Sequence, residues 1–133
     1  MYRIEISYNT NFQWDIVTRD QFVACDLPQN LGGDNEGPSP EELFLSGIGG
    51  GAAITVSRFL KEQNLQGCDE FKIIVQAETG AGPNRISSIS TLVVFPPKFP
   101  KAMKSKLLDK IGKNPLNATM LMPPDVSVDE LEL

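Results

Sequence analysis

The chain contains one long helical stretch, residues 38–65, with four glycines in its middle: Gly47, Gly49, Gly50 and Gly51. Ser39, Pro40 and Glu42 form a capping box with proline at the first helical position, which predicts that the helix begins there. Each glycine inside a helix costs about 0.8–1 kcal/mol relative to alanine, so four cost roughly 3–4 kcal/mol. Close approach of another backbone, or a pocket whose floor the glycines form, would offset that cost.

The same stretch carries no charged residue from Leu43 to Ser57. Its apolar residues recur at helical spacing in two overlapping sets, one from Phe44 to Phe59 and one from Leu45 to Leu60. A helix that is apolar nearly all round is typical of a protein's centre, so we expect this helix to be buried centrally. The uncharged run is 15 residues long, and a membrane span needs about 20, so the sequence predicts no membrane association.

Composition narrows the possible functions of the chain. Its 133 residues predict a single domain, residues 1–133. A net charge of −5 argues against nucleic acid and anionic membrane surfaces as partners.

There is no histidine, which excludes Ser-His and Cys-His catalysis and most zinc sites; we expect neither a metal nor a cofactor. Cys25 and Cys68 form no CxxC motif and suggest a reducing compartment, and the N-terminus lacks the apolar core of a signal peptide. We therefore expect a cytoplasmic protein.

Alternating apolar residues predict three strands before the helix and two after it, at about residues 2–8, 12–18, 21–27, 71–77 and 85–95. The first strand is expected to be half-buried, and short connections predict an antiparallel meander for the first three. Residues 28–38 read as a loop, and residues 79–84 as a turn between the last two strands. Strand runs separated by helix runs indicate the α+β class.

Two further helices are predicted near the C-terminus. Met103, Leu107 and Ile111 recur every four residues, with lysines on the other face that we expect to be solvated. Asn114 is expected to cap a short helix that begins at Pro115 and ends at Met120. Alternation at Val126, Val128, Leu131 and Leu133 predicts a terminal strand, so the element order is βββ-α-ββ-αα-β. The acidic pairs Asp69-Glu70 and Asp129-Glu130 are expected to be solvated.

The stretch from Gly37 to Leu65 resembles the OsmC/Ohr family, the osmotically inducible and organic-hydroperoxide-resistance proteins. The residues that carry this resemblance are Gly32-Gly33, Gly37 to Leu43, Gly47 to Gly50 and Ala52 to Val56. The resemblance implies an OsmC-like fold in which a long central buried helix is wrapped by antiparallel sheets in an intertwined homodimer. It also implies a stress-response role.

The resemblance further implies a peroxiredoxin-like reaction, the thiol-dependent reduction of organic hydroperoxides. One cysteine on the central helix attacks the peroxide oxygen and becomes a sulfenic acid, and a second closes a disulfide that an external thiol resets. An arginine and a glutamate organise the first cysteine, whose pKa must be lowered for it to react as a thiolate. The glutamate matches Glu41 in this sequence.

The two cysteine positions of the family fall on other residues in this chain. The attacking cysteine is expected ten residues after Glu41, at Gly51, and the second matches Asn114 before Pro115. The arginine that the hydroperoxide-resistance branch places in the first turn has no counterpart in residues 9–11. We therefore expect a family scaffold without its redox pair and no catalytic residue at these positions.

Two functions remain open from the sequence. The first is a non-enzymatic homodimer that binds a small apolar molecule at the dimer interface, with Glu41, Gly50, Gly51 and Asn114 as the candidate ligand-binding residues. The alternative is a thiol-dependent hydroperoxide reductase that uses Cys25 or Cys68. Cys25 is interpreted as a small buried apolar residue. Cys68 is expected at a strand edge, exposed, next to Asp69 and Glu70, which would raise the pKa of its thiol.

Overall fold

The computed structural model describes residues 1–68, 70–80, 82 and 84–132. The chain divides into two compact units, residues 1–46 and residues 47–133. The first holds a three-stranded sheet and the start of the long helix. The second holds the rest of that helix, a two-stranded sheet and two further helices. The mixture of antiparallel sheets and helices confirms the predicted α+β class.

The first unit is the predicted antiparallel meander. Its strands are β1 (Glu5–Thr10), β2 (Gln13–Thr18) and β3 (Gln21–Cys25), paired in the order β1-β2-β3. Trp14 pairs with Tyr8 on one side and with Cys25 on the other. The strand β1 begins three residues later than predicted, and all six of its residues are exposed. The expected half-burial is therefore wrong, because β1 is an edge strand whose apolar side chains are left uncovered by the rest of residues 1–46.

A buried carboxylate organises the loop between β3 and the long helix. Asp26 Oδ1 accepts a hydrogen bond from Leu27 N at 2.7 Å, and Oδ2 accepts from Glu36 N at 3.1 Å and from Asp34 N at 3.3 Å. A Cβ atom at Gly33 would collide with the Leu27 carbonyl, so this close approach requires glycine. Desolvation raises the pKa of Asp26, but the three backbone hydrogen bonds outweigh it, and the net pKa is lowered.

The long helix, α1 (Pro40–Glu62), begins as the sequence predicts. Ser39 N donates to Glu42 Oε1 at 2.9 Å, and Glu42 N donates to Ser39 Oγ at 3.2 Å. These two bonds are the predicted capping box. Hydrogen bonds from the backbone and the side chain of Ser39 to the Glu42 carboxylate lower the pKa of Glu42. The helix ends three residues before the predicted Leu65, and Asn64 follows in the left-handed region with φ of 50°.

Only one face of α1 is buried. Its buried side chains, Ile48, Ala52, Val56 and Phe59, recur at helical spacing. Phe44 and Ile54 remain 50% and 54% exposed. The expectation that the whole circumference of the helix is buried is therefore wrong for a single chain, because one chain supplies packing partners for only one face. The helix has 23 residues and is long and apolar enough, by length and composition, to cross a membrane. The uncharged run within it is 15 residues long, and its buried face packs in the protein core.

The core of the second unit forms around that buried face. The strands β4 (Lys72–Gly80) and β5 (Arg85–Val94) pair as an antiparallel hairpin. After a 3-10 turn, α2 (Lys104–Gly112) and α3 (Pro115–Leu121) follow. The core cluster consists of Ala52, Val56, Phe59, Cys68, Phe99, Leu107 and Ile111. A Cβ atom at Gly49 would lie 2.9 Å from Val75 Cγ2, so one of the four glycines allows α1 to approach β4 closely.

The predicted terminal strand is not formed. Residues 123–132 adopt no regular secondary structure, because their backbone pairs with no strand in the described part of the chain. Leu133, the last residue of the prediction, lies outside the described residues, as do Asp69 of the acidic pair and Ala81 and Pro83 of the predicted turn. The observed order of elements is therefore βββ-α-ββ-αα.

The substitution Asp26→Asn is expected to destabilise the protein at neutral pH. The folded-state pKa of Asp26 lies below the ordinary value of about 3.9 for an unfolded chain. Its contribution to stability is therefore present above that value and is lost as the pH falls through the folded pKa. Thermal unfolding should show a lower Tm for Asp26→Asn at about pH 7 and a smaller difference from wild type near pH 3.

The exposed turn residue Asp20 provides the matched control, because Asp20→Asn removes the same charge without touching the loop. An equal Tm difference between Asp26→Asn and wild type at both pH values would contradict the proposed role of the ionised carboxylate.

Candidate functional site

The structure brings Gly51 and Asn114 together. A Cβ atom built on Gly51 would lie 3.2 Å from Asn114 Oδ1 and 3.1 Å from Leu116 Cδ2. One residue comes from the middle of α1 and the other from the start of α3, so they are adjacent only in the folded chain. These are the two positions at which the family resemblance places the reacting cysteines.

Asn114 is buried and caps α3, as the sequence predicts. Its Oδ1 accepts hydrogen bonds from Leu116 N at 2.8 Å and Asn117 N at 3.3 Å, and its Nδ2 donates to Ile111 O at 2.8 Å. Because the amide serves these backbone groups, Asn114 holds the turn between α2 and α3 in place. Its structural role is therefore established.

The space beside Gly51 is partly filled. The Leu116 side chain and the Asn114 amide would both lie within 3.3 Å of an added Cβ atom, so even alanine would require a shift of a few tenths of an ångström. Thr55 Oγ1 donates to the Gly51 carbonyl at 2.9 Å. Leu116 and Asn114 of the same chain thus occupy much of the space into which a side chain at position 51 would extend.

The other two predicted ligand-binding residues are both exposed. Glu41 lies in the first turn of α1, within the first compact unit. Gly50 lies in the second unit, and a Cβ atom there would meet nothing within 4 Å.

The two thiols differ from the sequence interpretation. Cys68 is buried in the core cluster rather than exposed at a strand edge, and Cys25 is half-buried on β3 rather than fully buried. Burial raises the pKa of Cys25, and the negative charges of Asp26 and Glu41 raise it further. A raised pKa leaves less of the reactive thiolate at neutral pH. Within the described residues, no group of three or more His, Cys, Asp or Glu side chains could hold a metal ion.

The first turn, where the family arginine is expected, is occupied by a different interaction. Asn11 has φ of 53°, and its Nδ2 donates to Gly32 O at 2.9 Å. This bond ties the β1–β2 turn to the loop that Asp26 organises. Arg58 on α1 is exposed.

Sequence reasoning missed a cleft in the second unit. Its volume is about 370 Å³, and it lies between β5 and the α2–α3 pair. The lining residues are Ile89, Thr91, Val93, Leu108, Ile111, Gly112, Asn117, Met120 and Leu121. The odd-numbered alternation on β5 and the exposed leucine in α2 were the available signals, but the cleft depends on how the three elements pack.

Comparison with solved structures supports the fold. A protein from Psychrobacter arcticus 273-4, described as an osmotic stress induced and detoxification response protein, aligns with a TM-score of 0.79 at 13% identity, covering 87% of this chain and 85% of that one. The organic hydroperoxide resistance protein OsmC from Legionella pneumophila gives 0.67 at 13% identity, covering 90% and 88%. A hypothetical protein from Aquifex aeolicus VF5 gives 0.72 at 18% identity, covering 92% and 89%.

Sequence comparison gives the family. No curated protein matches the chain. A family model described as OsmC-like protein matches residues 33–128, a range that includes α1, both strands of the second sheet, and the Gly51–Asn114 contact. The chain therefore belongs to the OsmC-like protein family, as its α1 sequence and its element order predicted.

Proposed function

We propose that this protein is an OsmC-like homodimer without the redox pair, which does not reduce hydroperoxides and instead binds a small apolar molecule at the dimer interface beside Gly51. The observation that carries the proposal is the contact between Gly51 and Asn114. Two cysteines that form a disulfide have Cβ atoms about 3.8 Å apart, so adjacent side chains are what the two-thiol reaction requires. Here the adjacent residues carry no sulfur.

The thiols that the chain does possess are poor replacements. Cys68 is packed in the apolar core and is only 4% exposed. Cys25 is half-exposed, but its pKa is raised by burial and by two carboxylates. The thiols also lie in different compact units of the chain. The alternative, a reductase based on Cys25 or Cys68, therefore has less support.

The purified protein is expected to show no hydroperoxide turnover above background. Organic hydroperoxide, a dithiol and the protein would be mixed and peroxide loss followed over time. The Cys25→Ser and Cys68→Ser variants serve as controls and should give the same background rate. Turnover in the wild type that disappears in either variant would instead establish the reductase alternative.

The double substitution Gly51→Cys/Asn114→Cys is expected to form a disulfide after peroxide treatment. The single substitutions Gly51→Cys and Asn114→Cys are the matched controls, and thiol titration with mass spectrometry of the cross-linked peptides provides the measurement. The added Cβ atom at position 51 requires Leu116 to move slightly, and that side chain is 41% exposed and able to do so. A folded double variant that keeps two free thiols there would refute the assignment of the site.

The homodimer is supported by the exposed face of α1. Gly47, Gly50 and Ile54 follow one another at spacings of three and four residues, so they share one face. That face lies opposite the buried one, and a Cβ atom at Gly47 or Gly50 would meet nothing within 4 Å. Glycine in an exposed helix costs stability, and close approach of a second α1 would account for both glycines. Within residues 1–46, Tyr8, Trp14 and Phe22 are also exposed.

Sedimentation equilibrium is expected to give twice the chain mass of 14.6 kDa. Gly50→Leu should shift the mass toward the monomer, because the new side chain occupies the space that the partner helix needs. Ser105→Leu, which adds the same side chain at an exposed position of α2, should leave the dimer intact. A wild-type mass of one chain, or an unchanged dimer in Gly50→Leu, would contradict this interface.

Ligand binding beside Gly51 can be probed with the apolar dye Nile red. Gly51→Leu fills the proposed site and should reduce dye fluorescence, whereas Leu116→Ala removes the side chain that packs there and should increase it. Equal fluorescence in all three proteins would place dye binding elsewhere.

In keeping with the net charge of −5, we propose a cytoplasmic protein that uses no cofactor and binds neither nucleic acid nor membranes.

A further inference from the structure

The lysines of α2 and of the turn before it concentrate positive charge in an acidic protein. Residues 98–113 hold six lysines and one acid, Asp109, and so carry a net charge of +5. The other 117 residues carry six bases and sixteen acids, a net charge of −10. Half of the positive side chains of the protein therefore lie within 16 residues.

Two of the six lysines are engaged within the chain. Lys113 Nζ pairs with Asp109 Oδ2 at 3.2 Å. Lys104 Nζ lies 5.1 Å from the centre of the Phe95 ring. The other four are exposed and form no salt bridge with another described residue, and together we call them the lysine surface: Lys98, Lys101, Lys106 and Lys110.

Lysine is an unfavourable residue at the start of α2. The N-terminus of a helix is the positive end of its dipole, where acidic side chains stabilise the helix and basic ones destabilise it. The first turn of α2 contains Lys104 and Lys106 and no acid, and Met103 at the cap makes no side-chain hydrogen bond. Lys106 and Lys110 are four residues apart, so their like charges also repel. Local features that lower stability are typical of functional sites.

We propose that the lysine surface binds a short acidic segment of another protein. The carboxylates of such a segment would neutralise the repulsion among the lysines and at the positive end of α2. The nine residues of α2 rise about 14 Å along the helix axis, a length that an extended peptide spans with about four residues.

The size of the lysine surface favours a peptide over a larger polyanion. A short segment contacts the lysines alone. A nucleic acid duplex or an anionic bilayer extends beyond α2 and is repelled by the net charge of −10 on the other residues. Exposed ion pairs are individually weak and screened by salt, so the complex is a transient one whose affinity falls as ionic strength rises.

NMR titration of the ¹⁵N-labelled full chain with a peptide of six glutamates tests the proposal. At about 20 mM NaCl the amide chemical shifts of residues 98–113 should change saturably, and at about 500 mM NaCl the changes should largely disappear. Lys106→Glu/Lys110→Glu should weaken the affinity about tenfold, because several exposed ion pairs are lost. Lys61→Glu/Lys72→Glu makes the same change of charge at exposed positions outside the lysine surface and should leave the affinity within about twofold of wild type.

Thermal unfolding distinguishes loss of binding from loss of structure. The single substitution Lys106→Glu places an acid in the first turn of α2 and replaces the repulsion with Lys110 by attraction. It should therefore raise the Tm while it weakens peptide binding, so that stability and affinity change in opposite directions.

Three results would overturn the proposal. The first is the absence of saturable shift changes within residues 98–113 of the wild type at low salt. The second is an equal loss of affinity in the two double variants, which would assign binding to net charge. The third is binding of duplex DNA or phosphatidylglycerol vesicles at least as tight as that of the peptide, which would assign the surface to another class of partner. The substituted lysines lie outside the Gly51–Asn114 contact, so the proposed function is tested separately.

Discussion

The fold of the second unit depends on how closely α1 can approach its neighbours. Gly49 faces Val75 and Gly51 faces Asn114 and Leu116, and at both positions an added Cβ atom would meet a neighbour within 3.2 Å. These glycines lower the stability of the helix relative to alanine, but they permit close contacts that place one face of α1 in the core cluster. The helix can accept them because its N-terminus is fixed by the capping box and its buried face is apolar.

The same geometry separates the fold from the chemistry of its family. An OsmC-like scaffold can bring the middle of the long helix beside the start of the last helix with or without sulfur at that contact. Here Asn114 satisfies three backbone groups, and Leu116 packs beside Gly51. The groups at this contact are therefore satisfied by backbone hydrogen bonds and packing within the chain.

Much of the fold could be predicted because its signals are local. The capping box fixed the start of α1, Asn114 and Pro115 fixed the start of α3, and alternation located five strands. The errors share one cause. They concern the burial of the Tyr2 to Tyr8 strand, the formation of the terminal strand and the burial of the second face of α1. Each prediction required knowing which part of the protein covers an apolar side chain. Periodicity shows that a residue is suited to burial, but a contact from elsewhere in the chain or from another chain must provide it.

By itself the sequence determined the family and the fold class, because both depend on residue identity and short-range order. Only the tertiary structure decided that Gly51 and Asn114 touch, that Cys68 is in the core while Cys25 is half-exposed, and that Asp26 holds the loop before α1. These features arise from contacts between segments far apart in the chain. Their burial, hydrogen bonds and pKa shifts follow from packing, which residue spacing does not specify.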